Sequence, residues 1–316
     1  MKMNLEQLRG FVAVARLGNF TRAADELHLA QPSLSRQISS LEQDLGSELF
    51  HRARGGTTLT TAGESLLPLA RRMLADAESV RRELAELAGL ERGRVRLGAT
   101  PTLCISLVAE VLSAFHADHP GIELHLSERG SRRLLDELAS GELDLALITI
   151  SDDGAAERSA ERFSLTPLLV EELVVISSAA AQPIAAGATI DLGAVAALPQ
   201  IVFSSSYDLR GTTDAAFAQA GLRPDVVLEG AEMDAVLRFV ERGLGVAIVP
   251  AMVLIDRPGL RSVRLADPRL TRTISLARPS DVAPTRAVDV MQSTISRTAR
   301  SFAARAGETM RVAPRD

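Results

Sequence analysis

The 316-residue chain carries a formal charge of −5, is 46% hydrophobic, and contains no tryptophan and one tyrosine. That length exceeds the needs of one small module and implies several compact units whose cores are packed by aliphatic side chains. No run of eighteen nearly apolar residues offers a helical membrane span, so no membrane partner is expected, and an acidic total excludes broad, unfocused attraction to nucleic acid.

In chain order, Leu5, Leu8, Phe11, Val12 and Ala15 recur at helical spacing up to Gly18. The stretch FTRAADELHLAQPSLSRQISSL, from Phe20 to Leu41, then joins two short amphipathic helices through a tight connection. Ala23, Ala24 and Leu27 give the first a small apolar face, and Leu34, Ile38 and Leu41 give the second a matching one. Pro32 starts the second helix, because in the first turn its missing N–H removes no intrahelical bond. The outer side of that helix opens with Gln31, Ser33, Ser35, Arg36 and Gln37, hydrogen-bonding side chains suited to a DNA groove. A helix-turn-helix presents its second helix this way, although a three-helix protein-interaction module with a solvated polar face fits the same pattern.

Leu49 and Phe50 should close this small core before HRARGG turns outward as a hairpin or wing. Arg52 and Arg54 are the phosphate-contact candidates there, and Gly55 and Gly56 permit the turn. Residues 1–60 hold 7 Lys or Arg against 6 Asp or Glu, a balance of +1 that leaves −6 for the rest. DNA affinity must then come from focused contacts by Arg22, Arg36, Arg52 and Arg54, doubled in a dimer.

From Ala62 a long helix runs to about Leu87, with Pro68 expected near its first turn. Leu66, Ala70, Met73, Ala77, Val80, Leu84 and Leu87 alternate spacings of four and three, a heptad seam that predicts pairing of two copies. An internal packing helix is the alternative.

Beyond Gly89 and Gly93, short apolar strands alternate with helices: VRLGA (95–99) and a helix toward Phe115, IELHL (122–126) and Gly130 to Leu138, then DLALITI (144–150). A second set comprises EELVVIS (171–177), QIVFSS (200–205), a helix from Thr212, VVLEG, a helix near Glu232 and GVAIVP (245–250). TISLARP (273–279) and a helix over about 285–304 return to the first lobe. The rhythm predicts two parallel α/β lobes joined by two crossings, with a ligand crevice at their strand ends. Thr100 and Thr102, at a strand-to-helix junction, can offer hydroxyls to a carboxylate, with Ser131 in the same lobe. Ser204, beside Ser205 and Ser206, and Arg210 face the crevice from the second lobe, and Arg210 would neutralise an acidic ligand. No acid/base pair, phosphate loop or metal-ligand spacing stands out, and His116 and His119 lie at a helix end. Cys104, the only cysteine, reads as a small buried apolar residue. Neither an enzyme, a cofactor nor a metal is expected.

The combination FVAVARLGNFTRAADELHLAQPSLSRQISSLEQDLGSELFHR followed by LTTAG, with SSSYDLR, AGLRPDVVLEG and GLGVAIVP further on, resembles the LysR-type transcriptional regulators from about Leu5 to Ala304. The resemblance implies a multidomain α/β protein: an N-terminal winged helix-turn-helix (1–61), a dimerising linker helix (62–91) and a two-lobed effector domain similar to periplasmic binding proteins (92–304). Lobe 1 would take about 92–166 and 268–304, lobe 2 about 167–267, and 305–316 would be a flexible tail. It places Gln31, Pro32, Ser35 and Arg36 at recognition-helix contacts and Arg52 at the wing's basic position, with Gly55 where many relatives carry arginine. Thr100, Thr102, Ser131 and Ser204 fall at effector-pocket turns. Double-stranded promoter DNA, a homodimer or homotetramer and RNA polymerase are the implied partners, with an unidentified effector, a carboxylate-bearing metabolite by preference. With no basic-then-apolar leader, a cytoplasmic location is expected. The competing reading is a non-enzymatic ligand-binding or transport-associated protein whose N-terminal domain serves protein contacts.

Overall fold

A computed structural model describes residues 3–53, 56–87, 93–150, 162–204 and 207–314. The chain divides into two compact units, Met1–Gly93 with Asp136–Leu143, and Arg94–Leu135 with Asp144–Asp316.

The first unit begins with helices α1 (Leu5–Leu17), α2 (Phe20–Glu26) and α3 (Gln31–Leu45). Asn4 and Gln7 form a reciprocal capping box on α1, and Gly18 ends that helix at φ +62°. Leu34, Ile38 and Leu41 of α3 are fully buried against Leu8, Phe11 and Val14 of α1 and Ala23 and Ala24 of α2. Each large aliphatic group buried there contributes about 1.5–3 kcal/mol. Close approach of α1 to α3 depends on Gly10, where an added Cβ would lie 2.7 Å from Leu34 Cδ1. Phe50 closes the core against Phe11 and Phe20, at ring separations of 5.4 and 5.7 Å.

Strands β1 (Phe50–Ala53) and β2 (Gly56–Leu59) pair antiparallel as the wing. The long helix α4 (Thr61–Leu87) follows directly. Gly63 near its start is sterically obligatory, because a Cβ would stand 2.2 Å from the Leu49 carbonyl oxygen. Pro68 lies inside the helix, not in its first turn, since the helix starts at Thr61; it leaves the Glu64 carbonyl without its usual donor.

In the second unit, strands β3 (Arg94–Ala99), β4 (Glu123–Glu128) and β5 (Leu145–Ile150) run parallel in the order β4-β3-β5. Between β3 and β4 the chain is helical from Pro101 to Asp118, here α5, with a π-helical turn at Cys104–Val108. Helix α6 (Ser131–Ala139) leads into β5. The second lobe holds β7 (Thr189–Ile190), α7 (Leu192–Ala196) and the parallel pair β8 (Pro199–Phe203) and β9 (Asp225–Ala231). It also holds α8 (Asp208–Gln219), α9 (Met233–Glu241), β10 (Ala247–Pro250) and β11 (Leu260–Leu265).

Two strands carry the chain between the lobes. β6 (Phe163–Ser178) is 16 residues long; its first part pairs with β12 (Thr271–Pro279) and its last part with β10 and β11. Both crossing-strand pairings are antiparallel, so the sheet is mixed and not wholly parallel. The sequence pattern predicts only the second half of β6, because Pro167 interrupts the first; Pro167 sits at a register shift opposite Ser275, where a strand tolerates proline. Helix α10 (Arg286–Ala306) returns over lobe 1. The expected flexible tail is ordered as far as Pro314. Met310–Val312 forms β13, paired with β6, and Met310 is buried, so the backbone after Ala306 gains a hydrogen-bonded partner and an apolar anchor.

Candidate DNA-reading surface and effector cleft

Helix α3 separates its chemistry by face. Opposite the buried Leu34, Ile38 and Leu41, Gln31, Pro32 and Arg36 are exposed, and Ser33 and Ser35 are half-buried. Ala30 supplies no side-chain cap and Pro32 lies in the first turn, so the amino end of α3 presents its backbone dipole without a competing oxygen. Among the described residues no carboxylate pairs with Arg36, whereas Arg16 pairs with Glu26 and Arg9 with Glu6. Gln37 departs from its expected outward role. Its Oε1 is buried without a hydrogen-bond partner, in the space Gly10 leaves open. Arg52 occupies the wing strand opposite Thr57, with its side chain outside the described residues, as are Arg54 and Gly55.

On α4 the structure shifts the expected seam. Ala70 is fully buried and Leu66 partly so within the helix-turn-helix core, because that face covers α1. Met73 and Val80 of the expected seam are exposed, at 40% and 56% of their full surface, and Leu69, outside that seam, joins them at 58% in an apolar stripe. Ala77 is half-buried, and the side chains of Leu84 and Leu87 lie outside the described residues.

In the second unit, the carboxyl ends of β3 and β4 bring Thr100 and Glu128 together, since Ala99 and Glu128 are in register. Thr100 precedes α5 and is buried, yet its Oγ1 has no hydrogen-bond partner. Thr102 is also buried and accepts a 3.1 Å hydrogen bond from Arg272 Nη1. Arg272 Nε donates to Glu171 Oε1 at 2.7 Å, across the register pair of the two crossing strands. Glu171, fully buried, accepts from the Met252 backbone N–H through its other oxygen at 3.1 Å. One polar relay, Thr102–Arg272–Glu171–Met252, therefore ties the start of the lobe 1 helix to the turn after β10. Ser106, in the π-helical turn, approaches Met252 Sδ at 3.0 Å and reinforces the link. Arg272 Nη2 is buried and unpartnered.

From lobe 2, Tyr207 stacks on Phe203 at 5.0 Å, with its hydroxyl buried and unpartnered. Burial, then the Glu232 carboxylate, pushes that hydroxyl upward from the usual phenol range, with Glu128 and Cys104 adding and Arg272 opposing. The Cys104 thiol is pushed up to about 12 by burial and by the Glu128 carboxylate against it, so it is a protonated, unreactive lining group. It is half-buried and packs against the apolar core of the second unit, less enclosed than the fully buried position expected.

Other expected pocket residues have different employment. Arg210 is committed within lobe 2: Nε reaches Asp214 at 2.8 Å, and Nη1 reaches Glu229 at 3.0 Å and the Phe203 carbonyl at 2.7 Å. Two carboxylates already match its charge, which corrects its assignment as the ligand's neutralising group. Ser131 Oγ is engaged with Thr149 of β5 at 3.2 Å. Ser204 is half-buried and its carbonyl accepts from Tyr207 N–H; Ser205 and Ser206 lie outside the described residues. The sequence pattern does not single out Tyr207, Arg272 or Glu128, although the chain's one tyrosine and a charged residue near the start of the buried strand β12 are visible signals.

Residues 5–64 match the model of the bacterial regulatory helix-turn-helix protein, lysR family, and residues 88–300 match the LysR substrate binding domain. The chain belongs to the LysR family. It is 32% identical to YybE, an HTH-type transcriptional regulator of Bacillus subtilis, over 87% of this chain and 92% of the relative. It is likewise 32% identical to a probable nitrogen assimilation transcriptional activator of Synechococcus elongatus, over 88% and 90%. Full-length OxyR from Pseudomonas aeruginosa, with a cysteine-to-aspartate substitution, shares the fold at a TM-score of 0.70 and 25% identity, covering 93% of this chain and 98% of that one. This LysR-family chain is thus a DNA-binding transcription regulator that responds to a small-molecule effector. Among the described residues no helix is long and apolar enough to cross a membrane.

Proposed function

We propose that this LysR-family regulator binds a carboxylate-bearing effector through Thr100, Thr102 and Arg272. The observation that carries the reading is the pair of buried, unpartnered atoms beside one relay, Thr100 Oγ1 and Arg272 Nη2. A buried donor left without a partner costs about 1–3 kcal/mol, and a carboxylate supplies acceptors to both. Engaging Arg272 changes its balance between Thr102 and Glu171 and so favours one relation of the lobes over another. A ligand with that differential affinity shifts their populations.

Gln31, Pro32, Ser33, Ser35 and Arg36 of α3 then read promoter DNA, with Arg52 and Arg54 on phosphates. Arg36 alone is suited to a bidentate contact on a guanine edge. Two copies pair through the stripe Leu69, Met73 and Val80, continued by Leu84 and Leu87, and grip an inverted repeat. Assembly of dimers into a tetramer, contact with RNA polymerase and a cytoplasmic site of action complete the proposal.

Calorimetric titration of the full chain with acetate, pyruvate, succinate and benzoate tests the carboxylate anchor. At least one should bind, and Thr102→Ala should weaken it by about fivefold, the loss of roughly 1 kcal/mol. Ligand-free DNA affinity should stay unchanged. Binding of equal strength to the variant would remove the anchor.

A further inference from the structure

The stretches LEQDLGSELF (41–50) and LTTAG (59–63) meet at the backbone of Leu49. Helix α3 ends at Leu45, Gly46 turns at φ +69°, and β1 of the wing begins at Phe50. Within that turn the Leu49 N–H donates to Glu42 Oε1, from the last turn of α3, at 2.9 Å. The Leu49 carbonyl accepts from the Thr60 N–H at 3.0 Å, where β2 of the wing gives way to α4. Thr60 uses its hydroxyl twice: Oγ1 donates to the Glu48 carbonyl at 2.7 Å and accepts from the Gly63 N–H, in the first turn of α4, at 3.1 Å. Gly63 lets α4 press on the Leu49 carbonyl, since a Cβ there would also stand 2.9 Å from Leu59 Cδ2 of the wing. The Leu49 side chain is 1% exposed, so the junction is anchored in the core.

A turn and a helix start need their backbone groups satisfied, and water or a neighbouring side chain of the same element suffices for that. Glu42 and Thr60 instead reach across elements, so each bond also fixes an angle between two of them. The outer part of the wing is held as well, because the Thr57 N–H donates to the Gly18 carbonyl at the end of α1, at 2.9 Å. We propose that Glu42 and Thr60 are positioning residues for DNA reading, which lock the wing and α4 at set angles to the recognition helix α3. The wing angle brings Arg52, opposite Thr57 in the hairpin, onto a phosphate while α3 lies in the groove. In a pair of chains the α4 angle sets the distance between the two recognition helices, and hence the half-site spacing that the pair accepts. Both consequences rest on the wing contact and the pairing through α4 proposed above, and separate readouts distinguish them.

The test titrates the full-length protein with a captured genomic inverted repeat at several salt concentrations, and with versions whose centre is one base pair longer or shorter. One base pair moves a half-site by about 3.4 Å and turns it by roughly 35°. The wild type should lose at least about tenfold in affinity on either change. Thr60→Val, which keeps the shape of the side chain and removes both hydroxyl bonds, should cut that loss to about threefold. Glu42→Leu should do the same and should lower the slope of log affinity against log salt by about 1 per chain, the loss of one wing phosphate contact. Thr60→Ser and Glu42→Gln keep an oxygen in each place and should retain the wild-type profile. Thermal unfolding and sizing verify that each variant is folded and paired, and if one of the disruptive variants unfolds the other carries the test. Spacing profiles of Thr60→Val and Glu42→Leu that run parallel to the wild type, with an unchanged salt slope, overturn the proposal and reduce both residues to stabilisers. Thr60→Ser and Glu42→Gln profiles as altered as those of the disruptive variants overturn it too. A wild type indifferent to spacing overturns the pairing and the α4 angle, while a lowered slope in Glu42→Leu upholds the wing angle.

Discussion

The helix-turn-helix buries mostly carbon, Gln7 and the Gln37 amide oxygen apart, and turns Gln31 and Arg36 outward, whereas the effector domain buries more polar groups and leaves several of them unsatisfied. In the first, Leu34, Ile38 and Leu41 lie inside and Gln31 and Arg36 outside, so the chemistry sits on the surface left over from packing. In the second, Glu171, Thr100 and Thr102 are buried and Arg272 nearly so. The difference follows from what each must do: a groove reader meets its ligand from outside, while a two-lobed sensor encloses its own. Such enclosed polar groups are costly without partners, which makes them responsive to a ligand that supplies one.

The comparison breaks most severely at the relay. Arg272→Met should destabilise the effector domain by about 3–5 kcal/mol, because it strands the Glu171 carboxylate in the interior. The double change Arg272→Met with Glu171→Leu should recover much of that loss, as thermal unfolding will show. Equal stability of the single variant and the wild type would mean that the pair is not buried in solution.

These contrasts also explain what was legible in the sequence. Helical periodicity exposed α1 to α3 and the outward set on α3, since one local pattern fixes both core and surface. Thr100 and Thr102 were found because a strand-to-helix junction is a local signal. Arg272 and Glu171 were not, because their meeting depends on two strands 101 positions apart pairing in register. Arg210 was misassigned for the same reason: Glu229, which helps to neutralise it, arrives from another strand. The heptad on α4 reads as one seam, yet its first two positions, Leu66 and Ala70, belong to the core over α1, and Leu69 replaces them beside the exposed Met73 and Val80.

A smaller effect sharpens the packing side. Gly63→Ala should cost the N-terminal unit about 1–3 kcal/mol, since the methyl group meets a backbone oxygen that cannot swing away. A midpoint unchanged in denaturant titration would contradict this close approach.

The smallest effect is electrostatic. Hydrogen bonds from Arg264, at 2.7 Å to each oxygen, hold the Glu172 carboxyl below the usual glutamate range. Its folded value is depressed, so its contribution is present above the unfolded value of about 4.3 and is lost as pH falls through the lower folded value. Glu172→Gln should therefore flatten the acid limb of the stability profile below about pH 4.3. A parallel shift at every pH would point to packing instead.

The most direct measurement is DNA affinity at fixed salt, using a genomic fragment captured by the full-length protein and a scrambled duplex of equal length. The wild type should prefer the captured fragment, and Arg36→Ala should reduce that preference by about 1–3 kcal/mol while oligomeric size is unchanged. Equal binding of both duplexes by the wild type, or an unaltered preference in the variant, would contradict the assignment of the exposed α3 face as the reader of sequence.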